Sequence, residues 1–200
     1  MALAEKKLGL DTSPLDSLGF YIRSTRVEMG MTLNDLSKRA GVSVAMLSHI
    51  ERSQVSPSLK TLDRIRVALG VPLSRFFRSE DAPRDTGKTI VMKADERPKL
   101  SFDGIGLVKE LLSPNQGGSL EVFMLVIQPG GSSGNEPWTR TGEKAGLVLS
   151  GHFDLVVGPE SWSLDMGDSF QFDSSVPHRF QNNGTTEARV LWVIKSDAPV

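Results

Sequence analysis

The chain has 200 residues, a length that suits one large domain or two small ones. It contains no cysteine, which excludes disulfides and thiolate metal sites and fits a reducing cytoplasm. Residues 1–80 carry 12 Lys and Arg against 8 Asp and Glu, whereas residues 81–200 carry 11 against 16. A basic front half and an acidic back half favour a DNA-binding head on a body that avoids DNA. No stretch is long and apolar enough for a signal peptide or a bilayer span, so we expect a cytoplasmic protein without a membrane partner.

The first predicted helix follows a polar segment. Residues 1–14 are polar and end at Pro14, which predicts a mobile arm. Residues 15–29 show helical periodicity, and Gly30 ends the helix. The side chains expected to be buried are Leu18, Ile22 and Val27, and those expected to be exposed are Arg23 and Arg26.

Residues 32–52 predict two short helices joined by a tight turn. Thr32 followed by Asp35 forms a capping box, Gly41 ends the first helix, and Ser43 caps the second. On the second helix the residues expected to point inward are Met46, Leu47 and Ile50, and those expected on the other side are Val44, Ala45, Ser48, His49 and Arg52. Such a face of small and polar residues suits the major groove of DNA. Glu51 is expected to be the structural partner of an arginine.

Two more helical segments complete the predicted head. The run Ser56-Pro57-Ser58 breaks the chain and caps a helix over residues 59–69, which ends at Gly70. A short fifth segment over residues 73–77 closes the bundle with two phenylalanines.

These segments together resemble the Cro/C1-type (XRE-family) helix-turn-helix. The runs that carry the resemblance are Arg23–Arg26, Gly30–Leu33, Leu36–Ser43, Leu47–Arg52, Pro57–Leu62 and Ala68–Pro72. The resemblance implies that bases are read by Val44, Ala45, Ser48 and His49. It implies that phosphates are contacted by Arg23, Thr32, Ser43, Arg52 and Lys60. The alternative is a helical bundle that makes only protein contacts.

The pattern changes after a polar linker at residues 79–88. Short apolar or alternating runs follow, separated by turn signals, which predicts an all-β barrel or sandwich. The predicted strands are at residues 89–92, 105–112, 120–127, 147–149, 153–157, 169–172 and 189–194. We therefore expect a helix-turn-helix domain at residues 15–78 and a β domain at residues 89–197.

Three stretches of this second domain resemble the motifs of a cupin barrel: residues 129–134, 142–151 and 167–182. The resemblance implies a double-stranded β-helix (jelly roll) behind the helical head, as in bacterial transcription regulators with a cupin sensor domain. A metal-binding cupin presents two histidines and a glutamate from its first motif and one histidine from its second. At those places this chain has Trp138, Arg140 and Lys144, and it retains only His178. Arginine stays protonated and cannot ligate, so we expect a barrel without metal or other cofactor.

The replaced positions favour a small anion instead. Arg140 and Lys144 beside His178 would supply positive charge in the barrel mouth, and Trp138 and Phe180 would contact the apolar part of a ligand. In the alternative, Arg140 or Lys144 pairs with an internal carboxylate such as Glu121, or points into solvent.

The sequence thus predicts a ligand-responsive, non-enzymatic transcription regulator. It would bind a pseudo-palindromic operator as a homodimer, with half-sites about 34 Å apart. The alternative is an enzyme, because the same layout resembles an iron-dependent phosphonate epoxidase, although such an oxygenase needs two histidines and a carboxylate. Metal-free isomerase chemistry with His178 as acid or base is the other enzymatic possibility.

Overall fold

Four α-helices form the first part of the chain in the computed structural model, which describes residues 14–77, 90–114 and 119–196. They are α1 (Pro14–Glu28), α2 (Leu33–Ala40), α3 (Val44–Glu51) and α4 (Leu59–Leu69). The expected fifth segment is a 3₁₀ turn at Leu73–Phe77 rather than an α-helix. The arm at residues 1–13 and the linker at residues 79–88 lie outside the described residues. No helix in the described ranges is long and apolar enough to cross a membrane.

The helix ends are fixed by the predicted caps. The hydroxyl oxygen of Thr32 accepts a hydrogen bond from the backbone of Asp35 at 3.1 Å, and the Asp35 carboxylate accepts one from the backbone of Thr32 at 2.9 Å. Ser43 caps α3 in the same way through the backbone of Met46 at 3.2 Å. Gly41 ends α2 with a φ of +60°, a left-handed conformation that favours glycine.

The buried stripe of α3 differs from the predicted one by one residue. Leu47 and Ile50 are buried as expected, but Met46 is 42% exposed and Glu51 takes the third buried place. The cause is an ion pair, because Glu51 holds Arg26 of α1 at 2.6 Å. Glu51 is thus the expected partner of an arginine. Two other expectations for α1 were wrong: Arg26 is largely buried in this ion pair, and Val27 is 58% exposed.

Nine strands lie in the described residues of the second part of the chain. They are β1 (Lys99–Phe102), β2 (Leu107–Leu111), β3 (Leu120–Ile127), β4 (Glu143–Ser150), β5 (Phe153–Val157), β6 (Glu160–Leu164), β7 (Ser169–Asp173), β8 (His178–Gln181) and β9 (Ala188–Lys195). One antiparallel sheet has the order β1-β2-β3-β9-β4-β7, and a smaller one has the order β6-β5-β8. The all-α head followed by an all-β barrel confirms the predicted fold class.

The strand predictions include one apolar segment that is not a strand and omit three segments that are strands. Residues 90–92 form no strand, and Ile90 and Val91 are 86% and 69% exposed, so apolar character alone misled the assignment. Strands β1, β6 and β8 were missed. β6 is exposed along almost its whole length, and among the strands of the described ranges it pairs only with β5. It therefore lacks the buried alternation that marks a strand.

Strand register places polar side chains in the barrel interior. Glu121 of β3 pairs with Ile194 of β9, which pairs with Lys144 of β4, and Lys144 pairs with Phe172 of β7. Glu121 and Lys144 are 2% and 0% exposed, so this row faces inward.

The 3₁₀ turn of the head closes this end of the barrel. Phe77 packs on Phe123 of β3 with ring centroids 5.4 Å apart. The backbone N–H of Ser74 donates to the Glu121 carboxylate at 2.7 Å.

Candidate functional site

The exposed face of α3 carries the side chains predicted to read bases. Val44 is 38% exposed, Ala45 and His49 are exposed, and Ser48 is half-buried. Met46 lies on the same open side, which adds a flexible apolar side chain that the sequence reading assigned to the core. The imidazole Nδ1 of His49 lies 2.7 Å from Oε1 of Gln54, so Gln54 orients the ring. The face combines apolar groups with one orientable imidazole, a set able to contact base edges.

The predicted phosphate contacts have different surroundings. The hydroxyl groups of Thr32 and Ser43 act as helix caps. The side chain of Arg52 donates to the carbonyl of Ser48 at 3.1 Å, and Arg23 is exposed. Lys60 is turned toward the barrel, where its amine lies 2.5 Å from the Glu136 carboxylate.

An ion pair that the sequence analysis only partly predicted positions the α3 face. The Arg26 guanidinium donates to both carboxylate oxygens of Glu51, at 2.6 and 2.7 Å. Its third nitrogen donates to the carbonyl of Met31 at 2.8 Å. One arginine of α1 therefore fixes the end of α3 and the turn that precedes α2.

Lys144, His178 and Trp138 meet in the barrel interior. The Lys144 amine lies 2.5 Å from Nε2 of His178 and 3.8 Å from the ring centre of Trp138. Nδ1 of His178 lies 2.8 Å from the carbonyl oxygen of Val176, so Nδ1 carries the hydrogen and Nε2 accepts from the amine. Trp138, in the segment before β4, forms an isolated β-bridge with His178 of β8 through backbone hydrogen bonds of 3.0 and 3.1 Å.

Burial shifts the titration of this pair toward neutral forms. Burial lowers the pKa of Lys144 well below its ordinary value, and the nearby charges of Lys109 and Arg140 lower it further. Burial and Lys144 lower the pKa of His178 to about 4, so the imidazole is neutral at pH 7. The Trp138 face favours the ammonium by about 2 kcal/mol. Removing an ammonium from water costs several kcal/mol, so desolvation is the larger effect.

Arg140 adopts the ion pair that the sequence left open as an alternative. Its Nη2 donates to Glu121 at 2.8 Å and to the hydroxyl of Ser196 at 3.0 Å. Its Nη1 is buried without a hydrogen-bond partner among the described residues. Phe180 lies on the same strand as His178 but packs against Phe153 and Trp192, at 5.4 and 5.5 Å between ring centres.

A second buried lysine escaped the sequence analysis. Lys109 of β2 is 2% exposed, and its amine lies 4.9 Å from the ring centre of Phe123. Burial, followed by the charge of Arg140, lowers the pKa of Lys109 to about 8. The signal was present in the sequence, because Lys109 stands two residues from Leu107 and two from Leu111, and positions two apart in a strand share one face.

The interior is closed on the side of the helical head. Lys144 and His178 have no exposed surface and Trp138 is 8% exposed. Beyond Trp138 lies a groove of about 290 Å³ between α4 and the barrel, whose other lining residues are Lys60, Asp63, Arg64, Pro137, Thr139 and Pro177. The indole of Trp138 therefore separates the groove from the amine of Lys144. Within the described ranges no three His, Cys, Asp or Glu side chains cluster as metal ligands would.

A larger concavity of about 490 Å³ lies on the outer surface of the smaller sheet. His152 contacts Asp165 at 2.9 Å and Asp154 at 3.1 Å, and Asp154 also accepts hydrogen bonds from Ser163 and Asn183. Two of the charged residues that line it, His152 and Asp154, are therefore engaged with each other and with neighbouring side chains.

Comparison with known proteins assigns both domains. Residues 22–76 match the helix-turn-helix family HTH_3, and residues 123–194 match the cupin domain family Cupin_2. The chain is 26% identical over 181 residues to the HTH-type transcriptional regulator PuuR of Escherichia coli K12, an alignment that covers 90% of this chain and 94% of that one. It is 27% identical over 174 residues to the regulator SutR of the same organism, covering 84% and 88%.

A solved structure supports the same architecture. The crystal structure of an HTH_3 family transcriptional regulator from Vibrio cholerae superposes with a TM-score of 0.70 at 23% identity, over 92% of this chain and 97% of that one. At this identity the likeness shows the fold. The two domain matches and the two regulators aligned over most of their length agree with it. The chain joins an HTH_3 helix-turn-helix domain to a C-terminal Cupin_2 domain, and over most of its length it is similar to HTH-type transcriptional regulators.

Proposed function

We propose that this regulator binds a pseudo-palindromic operator as a homodimer and that its barrel binds a small anionic organic effector without a metal. The effector would favour one arrangement of the helical heads over another, and so change the affinity for DNA. The observation that carries the effector part of the proposal is the burial of Lys144 against neutral His178.

The DNA part rests on the α3 face and on the size of one head. Val44, Ala45 and His49 are exposed side by side on a helix whose start and end are both fixed by hydrogen bonds. One short helix reads only a few base pairs, so specific binding needs two heads, with half-site centres about 34 Å apart.

The effector part rests on an excess of buried basic side chains over carboxylates. Three basic side chains, Lys109, Arg140 and Lys144, are each at least 96% buried, and one carboxylate, Glu121, lies among them. Neither lysine forms an ion pair with a carboxylate in the described ranges. A small anion would pair with these basic groups, and the ring of Trp138 would contact its apolar part.

The residue types at the site also favour a metal-free role. A non-heme oxygenase holds iron with two histidines and a carboxylate. Here His178 has Lys144, Trp138 and Arg140 as its motif partners, and the Nε2 that would ligate a metal already accepts from Lys144. The donor set therefore favours a binding site over the epoxidase-like alternative.

The DNA part is tested by selecting binding sites from random-sequence DNA with the full-length protein. We expect an inverted repeat whose half-sites are one helical turn apart. The variant His49→Ala should lose discrimination at one base of each half-site. Val67→Ala, at a 60% exposed position on α4, is the matched control and should bind like the wild type. A selected site without symmetry would contradict the homodimer.

The effector part is tested by titrating the operator complex with small carboxylic, sulfonic and phosphonic acids. We expect at least one acid to change operator affinity in the wild type and in Lys195→Met, whose lysine is exposed. The variant Lys144→Met should not respond. An equal response in Lys144→Met would move the effector site elsewhere. About one bound metal per purified chain, after growth with iron, nickel, zinc and manganese, would reopen the enzyme alternative.

A further inference from the structure

We propose that Lys144 is a covalent binding site for oxo acids, whose carbonyl carbon condenses reversibly with the lysine amine to form an imine. The proposal rests on the proposed effector function and names the chemical class of the effector. The effector would form a covalent bond to Lys144 in addition to being attracted by the charges around it.

The surroundings of Lys144 favour a nucleophilic amine. The side chain has no exposed surface, and its contacts are the faces of Trp138 and Trp192 and the imidazole of His178. No carboxylate contacts the amine within the described residues. The charges that affect the pKa of Lys144 most are those of Lys109 and Arg140. An ammonium in this place lacks both water and a counter-ion, so the neutral amine with its lone pair is favoured at physiological pH.

His178 is placed to move the proton that imine formation requires. The amine attacks the carbonyl carbon, a C–N bond forms, and the carbonyl oxygen takes up negative charge. Nε2 of His178, 2.5 Å from the amine, accepts a proton from the nitrogen and returns it to the oxygen. The second proton of the nitrogen then passes through the same Nε2 to the hydroxyl group, which leaves as water while the C=N bond forms. No oxidant or reductant is needed, and hydrolysis reverses the sequence.

The charge around the site favours an oxo acid over a neutral carbonyl compound. Condensation replaces the amine by an imine, and a carboxylate carried by the ligand would lie among Lys109 and Arg140. The Nη1 of Arg140 is buried without a partner in the described part of the chain, so it retains a hydrogen bond to donate. A carboxylate is the partner that its planar geometry suits.

Trp138 marks the route of entry. Its indole lies between the groove of about 290 Å³ and the Lys144 amine. The indole Nε1 is buried without a hydrogen-bond partner among the described residues, so turning the ring outward breaks no side-chain hydrogen bond. A ligand that enters from the groove would meet the amine directly behind the ring.

The test is reductive trapping in full-length protein. The protein is incubated with pyruvate and cyanoborohydride, which reduces an imine to a stable secondary amine, and modified lysines are identified by peptide mass spectrometry. We expect Lys144 to be modified at least tenfold faster than Lys99 and Lys195, whose side chains are 55% and 58% exposed. Lactate, with the same charge and no carbonyl, should modify nothing. Acetone, a ketone with no charge, should show a smaller preference for Lys144 over Lys195 than pyruvate does.

Two variants show whether the rate of modification of Lys144 depends on proton transfer by His178 or on entry of the ligand past Trp138. Trp138→Ala removes the ring between groove and amine and should speed modification of Lys144, whereas His178→Gln should slow it at an unchanged unfolding midpoint. If Lys144 in both the wild type and Trp138→Ala reacts no faster than Lys195, the covalent proposal is wrong.

Measurements of operator affinity distinguish the covalent proposal from the broader proposal that the barrel binds an anionic effector. If acids without a carbonyl change operator affinity while Lys144 stays unmodified, the effector function holds and the imine does not. If Lys144 is trapped selectively while operator affinity is unchanged, the imine holds and the effector function fails.

Discussion

Glu121 and Arg140 form a 2.8 Å ion pair in which the two side chains are only 3% and 2% exposed. The second carboxylate oxygen of Glu121 accepts from the backbone N–H of Ser74, in the 3₁₀ turn that follows α4. One carboxylate therefore joins Arg140, in the segment between Trp138 and Lys144, to the last turn of the helical head. A change in the barrel that moves Arg140 would act directly on the contact between the two domains.

Loss of the Glu121 charge should destabilise the barrel. The variant Glu121→Gln leaves Arg140 buried without a counter-ion, and we expect unfolding free energy to fall by about 3 kcal/mol. Urea unfolding followed by tryptophan fluorescence measures this, because all three tryptophans lie in the barrel. The control is Glu143→Gln, whose partner Lys195 is 3.5 Å away and exposed, with an expected loss below about 0.5 kcal/mol. Equal losses in the two variants would show that the buried pair has no special importance.

Lys109 should make stability rise with pH above about 8. Burial lowers its pKa from 10.5 to about 8, so between these values the unfolded chain holds the proton and the folded chain does not. Stability therefore rises through this window, while below about pH 8 the full cost of the buried charge remains. The variant Lys109→Met removes the cost, and we expect it to be more stable at pH 7 by roughly 3 kcal/mol. Urea unfolding at pH 7, 9 and 10.5 should show the two proteins converging as pH rises; a constant difference would contradict the assignment.

Local signals predicted the backbone of the head well. The caps at Thr32, Ser43 and Ser58 are single-residue chemistry, so the starts of α2, α3 and α4 could be predicted without tertiary information. The error at Met46 arose because a tertiary ion pair placed Glu51 in the buried stripe instead. Helical periodicity leaves such a choice between neighbouring positions open.

The sequence predicts which residues form the candidate site but only partly which side chains contact one another. Motif positions predicted Trp138, Lys144 and His178 at one site, and in the structure these three side chains lie next to one another. Strand alternation tells which face a side chain takes, but not which of several neighbours it pairs with, so the choice of Arg140 between ligand and Glu121 was left open. The closed interior depends on how the head packs on the barrel, which no local pattern encodes.

The Arg26–Glu51 pair should hold the α3 face in place. In Glu51→Gln the guanidinium of Arg26, 11% exposed, keeps its position without a charged partner, and we expect the helical domain to lose about 2 kcal/mol of unfolding free energy. Helical circular dichroism during urea unfolding follows this domain, and the tryptophan transition of the barrel should shift less. In the control Glu187→Gln, whose pair with Arg189 is 3.5 Å long and 41% exposed, the helical transition should not change. A helical domain of unchanged stability in Glu51→Gln would contradict this prediction.

Lys60 should exchange its ion pair with the barrel for a phosphate contact when the protein binds DNA. Its amine lies 2.5 Å from Glu136, and the two side chains are 44% and 76% exposed, so the pair is accessible to water and to a competing phosphate. Glu136 lowers the local positive charge of α4, and its own pKa is lowered by the hydrogen bond from Lys60. If Lys60 contacts a phosphate in the operator complex, forming that contact breaks the pair with the barrel.

The variant Glu136→Gln should therefore bind operator DNA roughly two- to fivefold more tightly at low salt, and the gain should shrink as salt is raised. Lys60→Gln should weaken binding and reduce the salt dependence by about one phosphate contact. Fluorescence anisotropy at several salt concentrations measures both effects. The control Glu160→Gln makes the same charge change on the exposed strand β6 and should leave affinity nearly unchanged. If Glu160→Gln matched Glu136→Gln, net charge would explain the gain; if neither changed affinity, Lys60 would have no part in DNA binding.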